Sequence, residues 1–267
     1  MRKKALILGV TGQDGSYLAE LLLEKRYEVH GLIRRSATGN TRNIDHILNE
    51  IHIHRGDLAD TTSIYRVIND VKPNEIYNEA DQDHVSWSYS SVDYSCDITG
   101  AAVARILEII KQINPAIKFF QPLSSNIFGK AIESPQNEKT AFNPQSPYAD
   151  VKMLEEELIT KEFSVDPNSF LITRFGTVFG YAPGIRFHTA VNRFCFQAAN
   201  GIPLSVWKTA YNQVRPYLSL EDLNKAIAHI ITNSLFDNSV YNIVSQNSTV
   251  KDIVDSIKLF IPDLKID

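Results

Sequence analysis

Along the chain, short apolar runs bounded by turn-forming residues alternate with segments whose apolar residues recur every three or four positions. The runs over 5–8, 28–33, 51–54, 75–78 and 117–123 read as strands, and the segments over 15–25, 42–49, 61–70 and 96–112 between them read as helices. A helix over 149–163, a strand over 169–174 and helices over 189–199, 221–233 and 249–259 complete the pattern. This alternation predicts an α/β fold with a parallel sheet, its βα units denser in the first half. Pro and Gly cluster in 129–147 and 180–184, where loops are expected to leave the carboxyl ends of strands and build a binding site. There is no internal repeat or low-complexity tract.

The first strand runs into Gly9-Val10-Thr11-Gly12-Gln13-Asp14-Gly15, three glycines spaced three apart ahead of an amphipathic helix. The free N–H groups of a helix N-terminus reach a pyrophosphate only where no Cβ blocks the backbone. Gly9, Gly12, Gln13, Asp14 and Gly15 are therefore expected to seat a dinucleotide. With that turn the sheet reads as Rossmann-type and doubly wound. Residues 1–175 form the dinucleotide-binding domain and 176–267 a smaller, mainly substrate-binding region, with some elements returning to the first. At the end of the second strand, where an NAD-binding fold places an acid on the ribose 2′-OH, Ile33 is followed by Arg34 and Arg35. Planar guanidinium donors suit a 2′-phosphate, so NADP is expected ahead of NAD, with one of the pair, Arg34 first, open to being a solvated helix-start residue. Asp57-Leu58 follows the third strand. There the carboxylate either accepts the adenine amino group or caps the next turn.

Tyr148 and Lys152 are four apart and share one helical face, and an ammonium beside a phenol is expected to lower its pKa toward that of a working base. Such pairs also arise by chance; the context adds Pro122-Leu123-Ser124-Ser125-Asn126, where a strand end offers a hydroxyl to the same substrate oxygen. Together the glycine turn, Asp57-Leu58, the serine strand end and the Tyr148/Lys152 pair resemble the extended short-chain dehydrogenase/reductases of the nucleotide-sugar epimerase and dehydratase family, over nearly the whole chain. The opening through Arg34-Arg35-Ser36 is similar to GDP-mannose 4,6-dehydratases, which use NADP. Arg174-Phe175-Gly176-Thr177, Arg186-Phe187, Asn192 and Arg215-Pro216 are more like the sugar-binding half of 4-epimerases. The resemblance implies that Ser124 and Tyr148 act on the sugar C4 hydroxyl and that Lys152 also holds the nicotinamide ribose. It implies substrate contacts from His84, Ser125, Asn126, Thr177, Arg186, Asn192 and Arg215, and a homodimer through a four-helix bundle of the segments around 96–112 and 149–163.

Departures from the family pattern shape the functional expectation. The dehydratases resembled carry a glutamate two residues after the catalytic hydroxyl, and this chain has Asn126, an amide that cannot act as a carboxylate base. A nucleotide-sugar 4-epimerase is therefore expected, with a 4,6-dehydratase or 4-keto reductase as the alternative. Glu79 and Asp81 stand where the family has an apolar and a small residue, so repulsion of a cofactor pyrophosphate is expected, and a catalytically impaired sugar-nucleotide binding protein is the reading from another class. Asp150 either pairs with Lys152 or faces water. Glu155-Glu156-Glu157 makes the second dimer helix acidic. The chain ends at Ile266-Asp267 sooner than the resemblance implies, so part of the substrate region is expected to be missing.

Composition narrows the rest. The 267 residues, 43% hydrophobic, suffice for one large domain or a domain with an appendage, and a net charge of −4 with scattered Lys and Arg does not indicate nucleic acid. Two distant cysteines, Cys96 and Cys195, argue against a disulfide framework and a zinc site, so no metal is expected, and both are expected to be buried in a reducing cytosol. Met1-Arg2-Lys3-Lys4 leads into too few apolar residues for a signal segment or a membrane span. A cytoplasmic protein without membrane contact is expected.

Overall fold

The computed structural model describes residues 2–37, 39–162 and 169–267. In chain order the regular elements are β1 (Lys4–Leu8), α1 (Gln13–Glu24), β2 (Glu28–Ile33), β3 (His52–Arg55), α2 (Thr61–Val71), β4 (Glu75–Asn78), α3 (Val85–Ser90), α4 (Val92–Ser95), α5 (Ala102–Ile113) and β5 (Lys118–Ser124). They continue with α6 (Pro147–Glu162), β6 (Phe170–Phe175), β7 (Thr177–Phe179), α7 (Ala190–Ala199), β8 (Arg215–Ser219), α8 (Leu220–Asn233), β9 (Ser239–Ile243), β10 (Gln246–Ser248) and α9 (Val250–Lys258). Seven strands form one parallel sheet in the order β3-β2-β1-β4-β5-β6-β9. This is the doubly wound, Rossmann-type fold that the alternation and the glycine turn together predict.

Each central strand is apolar on both faces because both are covered. On β1, Ala5 and Ile7 face the layer of α1 and α8, while Leu6 and Leu8 face that of α2 and α5. On β5, Phe119 and Phe120 divide the same way, both fully buried. Two elements from beyond residue 176 belong to this body: β9 pairs with β6, and α8 supplies Leu223, Ile227 and Ile230 to the core over α1. The remainder forms a small sheet, β10-β8-β7, and a separate core in which Phe194 and Ala198 of α7 meet Val254 and Ile257 of α9.

Four expectations change. The helix over 42–49 is only a single 3-10 turn, Asp45–Ile47: Ile44, Ile47 and Ile51 do point into one core, but the Asn43 side chain is tied to Thr11 O and Gly184 N and holds the preceding chain as a loop. The helix over 96–112 begins as a π-type turn, Cys96–Ala101, before α5. The 129–147 loop does not line the cleft described below; its Glu138 carbonyl and Phe142 ring pack on the buried Arg174, which is paired with Glu156. Cys96 and Cys195 are both exposed. The helix expected to reach 163 is described to Glu162, and position 163 lies outside the described residues. Among the described residues no helix is long and apolar enough to cross a membrane.

Candidate active site

β1 is flanked by β2 on one side and β4 on the other, so the crossovers diverge and a crevice opens beyond the carboxyl ends of these strands. A cleft of about 1000 Å³ follows it, walled by the ends of β1, β2, β4 and β5 and by β7. The glycine turn forms its floor. Gly9 has φ +84°, and a Cβ there would sit 2.8 Å from Ala80 N and from the Glu79 carbonyl oxygen; one on Gly15 would sit 2.5 Å from Gly9 O. Gly9 thus lets the end of β4 approach, and Gly15 lets α1 close onto the turn, fixed by a 2.9 Å hydrogen bond from Gly12 N to Gly9 O. Gly12, Gln13 and Asp14 line the cleft, whereas Gly15 does not.

Beside the turn, the Glu79 side chain lines the cleft with Oε1 buried and without a hydrogen-bond partner among the described residues. Burial, reinforced by the Asp14 carboxylate, pushes its pKa up to about 8. At pH 7 Glu79 is therefore largely a neutral acid that offers a donor rather than a charge. Asp14 is also raised, by burial above all, with Arg186 opposing. The repulsion expected of an extra acid at this turn is thus relieved at Glu79 by protonation.

Tyr148 and Lys152 stand one turn apart near the start of α6, whose first turn is held by Ser88 of α3 through a 3.1 Å bond from Tyr148 N. Both side chains are buried and line the cleft, with Lys152 Nζ 5.9 Å from the phenol ring centroid. Lys152 is already engaged. Its ammonium lies 2.9 Å from Asp81 Oδ2 and 3.1 Å from Glu155 Oε1, and Thr99 of the π-type turn donates to Asp81 Oδ1 at 2.6 Å. Burial opposes the charge on Lys152, but the two carboxylates outweigh it and hold the ammonium above the ordinary lysine value. Tyr148 is pushed up, by burial first and by Asp81 second, with Lys152 only partly offsetting them. The expected lowering of the phenol pKa is reversed because burial disfavours the phenolate and because the two acids that hold the lysine also repel that anion, Asp81 the more strongly. At the end of β5, Ser124 Oγ accepts from Asn126 N (3.2 Å) and Asn126 Nδ2 (3.0 Å), which leaves its own hydrogen to donate.

The other expected residues divide. Arg34 lines the cleft, held by a 2.7 Å bond to the Tyr94 hydroxyl, while Arg35 is exposed and outside it, the reverse of the expected order. Asp57 and Leu58 line it, Asp57 capping its own turn through Ala59 N (3.0 Å). His84, Asn126, Thr177 and Arg186 line it as well. His84 meets the rings of Trp87 and His188 at a tilt, with centroids 5.4 and 4.9 Å away, and Arg186 is ion-paired with Asp83. Ser125, Asn192 and Arg215 do not line the cleft. Asn192 is buried and spends its amide on Gly180 N and Arg186 O, tethering that loop, and Arg215 is exposed beside Gln213. Asp150 faces solvent. Glu155 and Glu156 turn inward, so only Glu157 of the acidic run is exposed. Thr99, His188 and Tyr94 reach the site from distant segments, with no short motif to mark them, whereas Glu155 reaches Lys152 from three residues further along the same helix.

The family model described as GDP-mannose 4,6 dehydratase matches residues 6–261. The chain belongs to that family. It is 46% identical over 162 residues to a GDP-mannose 4,6-dehydratase of Vibrio cholerae, the match covering 57% of this chain and 44% of that protein. The Homo sapiens GDP-mannose 4,6 dehydratase is 47% identical over 163 residues, with 57% and 44% covered, and that of Sinorhizobium fredii 38% over 222 residues, with 79% and 62% covered. The chain spans less than two thirds of the length of these relatives. Among solved structures, a UDP-glucuronic acid 4-epimerase variant of Bacillus cereus with NAD has a TM-score of 0.87 at 22% identity, covering 99% of this chain and 85% of that one. The Thermus thermophilus UDP-glucose 4-epimerase complex with NAD has 0.83 at 20%, with the same coverage. At such identities the likeness is one of fold.

Proposed function

We propose that the chain is an NAD(P)-dependent nucleotide-sugar 4-epimerase acting by transient oxidation at sugar C4. The Ser124–Asn126 corner, in the same cleft as Tyr148 and Lys152, carries this reading: it offers hydroxyl chemistry at one carbon and no carboxylate where elimination of water would need one. The residues present fit a dinucleotide, since Gly9 and Gly12 open the turn and Glu79 is neutral beside it at pH 7. Gly9, Gly12, Gln13 and Asp14 would hold the pyrophosphate, Asp57 and Leu58 the adenine end, and Arg34 a 2′-phosphate, which favours NADP over NAD. When bound, the nicotinamide would supply a hydride acceptor and a positive charge near Tyr148. Tyr148 takes the C4 hydroxyl proton, Ser124 donates to the same oxygen, and Lys152 turns from Asp81 toward the ribose and the phenol. Arg186 exchanges Asp83 for the substrate diphosphate, with His84 and Thr177 bordering the sugar.

The names of the relatives support a GDP-linked hexose as substrate. Incubation with GDP-, UDP-, dTDP- and CDP-hexoses plus NADP⁺ or NAD⁺, followed by NMR, should give the C4 epimer; a 4-keto-6-deoxy product would establish a dehydratase instead. The Asp81–Lys152–Glu155 cluster favours one second reading, a sugar-nucleotide binding protein with impaired chemistry. Calorimetry that detects nucleotide-sugar binding but no nicotinamide binding would support it. We further place the protein in the cytoplasm as a homodimer through α5 and α6, a reading supported by the exposed Leu154 on α6 and checked by sedimentation.

A further inference from the structure

At the outer edge of the sheet, away from the cleft, three histidines and a glutamate from neighbouring strands share one face. Glu28 and His30 are two residues apart on β2 and so point the same way, and the parallel register sets His52 opposite His30 and His54 opposite Leu32. His30 Nε2 lies 3.0 Å from Glu28 Oε1, and His30 Nδ1 lies 3.0 Å from His54 Nε2. The His52 ring stacks on His30 with centroids 4.8 Å apart, and one ligand atom from each of Glu28, His30 and His52 lies within 4.8 Å of the other two. The ring nitrogens of His52 have no hydrogen-bond partner among the described residues.

We propose that Glu28, His30 and His52 form a binding site for a divalent transition-metal ion of the zinc type, with His54 as the partner that orients His30. Two imidazole nitrogens and one carboxylate oxygen are a donor set for zinc and its neighbours rather than for calcium or magnesium, which take oxygen ligands. Three protein ligands leave a fourth position for water. The tautomer with the proton on His30 Nδ1 donates to His54 Nε2 and turns the bare Nε2 toward Glu28, so His54 does for His30 what an outer hydrogen-bond acceptor does for a metal-bound imidazole. His52 is exposed and Glu28 is 34% exposed, which gives an ion its route in. Lys4 Nζ, 3.4 Å from Glu28 Oε1, competes for that carboxylate but also reaches the Val71 carbonyl at 3.4 Å, where it can remain. An ion here would clamp the edge strand β3 to β2, and it is independent of the reaction in the cleft.

Tag-free protein titrated with Zn²⁺ by calorimetry should bind one ion per chain at this site, and Co²⁺ should give the visible bands of a four-coordinate site. His52→Ala should weaken binding at least about tenfold and His54→Ala about 10- to 100-fold, each with an unchanged circular dichroism spectrum. His188→Ala, which removes the other imidazole pair in the cleft, should leave the titration unchanged. Should His52→Ala fold poorly, Glu28→Gln gives the same reading. Absence of saturable binding, binding that survives both His52→Ala and Glu28→Gln, or binding lost in His188→Ala would overturn the proposal.

Discussion

Tyr148 stands one helical turn from an ammonium, yet its pKa is raised, because burial disfavours the phenolate and Asp81 repels it by more than Lys152, itself paired with Asp81 and Glu155, offsets. Two outcomes follow. Tyr148→Phe should reduce turnover about 10²- to 10⁴-fold in a steady-state assay without loss of nucleotide-sugar binding. Asp81→Ala should leave Lys152 with Glu155 as its remaining acidic partner and remove the charge that most repels the phenolate, so the limb of the activity profile that reports the phenol should move to lower pH, by about one unit or more. Glu79 links stability to pH. Its pKa rises from the usual 4.5 to about 8 on folding, so its stabilising proton is fully held below about pH 4.5 and lost as pH rises through 8. Glu79→Gln should therefore melt together with the parent at pH 4 and several degrees above it at pH 9, read by calorimetry.

At the scale of elements, what could be read along the chain is what depends on near neighbours. β2 and β4 fall where their apolar runs predict, and α1, α2, α6, α7 and α8 within two residues of the expected ends. Asp60 stops the chain before α2 by accepting from Thr62 N, and Lys72 ends it in a left-handed turn. β7, β8 and β10 escape such reading because they are short and partly polar and exist only by pairing with one another. The glycine turn is the element most sensitive to a single atom. Gly9→Ala should cost at least about 1 kcal/mol through its φ of +84° and force residues 79 and 80 away, with chemical denaturation as the measure and weakened nicotinamide binding as the accompanying effect.

For the molecule as a whole, β9 and the segment after α8 close the sheet that the first half begins. Phe236, 1% exposed, meets Tyr77 edge-on at 6.3 Å, joining the late chain to the central strand β4. Phe236→Ala should destabilise the fold by roughly 3–5 kcal/mol, seen as a fall of roughly ten degrees or more in melting temperature. The amino-acid order by itself determined the parallel sheet, the glycine turn and the Tyr148/Lys152 spacing, because each rests on periodicity or on residues within one helical turn. Tertiary structure alone decided that Asp81 and Thr99 converge on Lys152, that Arg34 rather than Arg35 reaches the cleft, and that His30, His52 and His54 meet across two strands. These depend on register and burial. Charges far apart in sequence change one another's protonation only once packing removes the water between them.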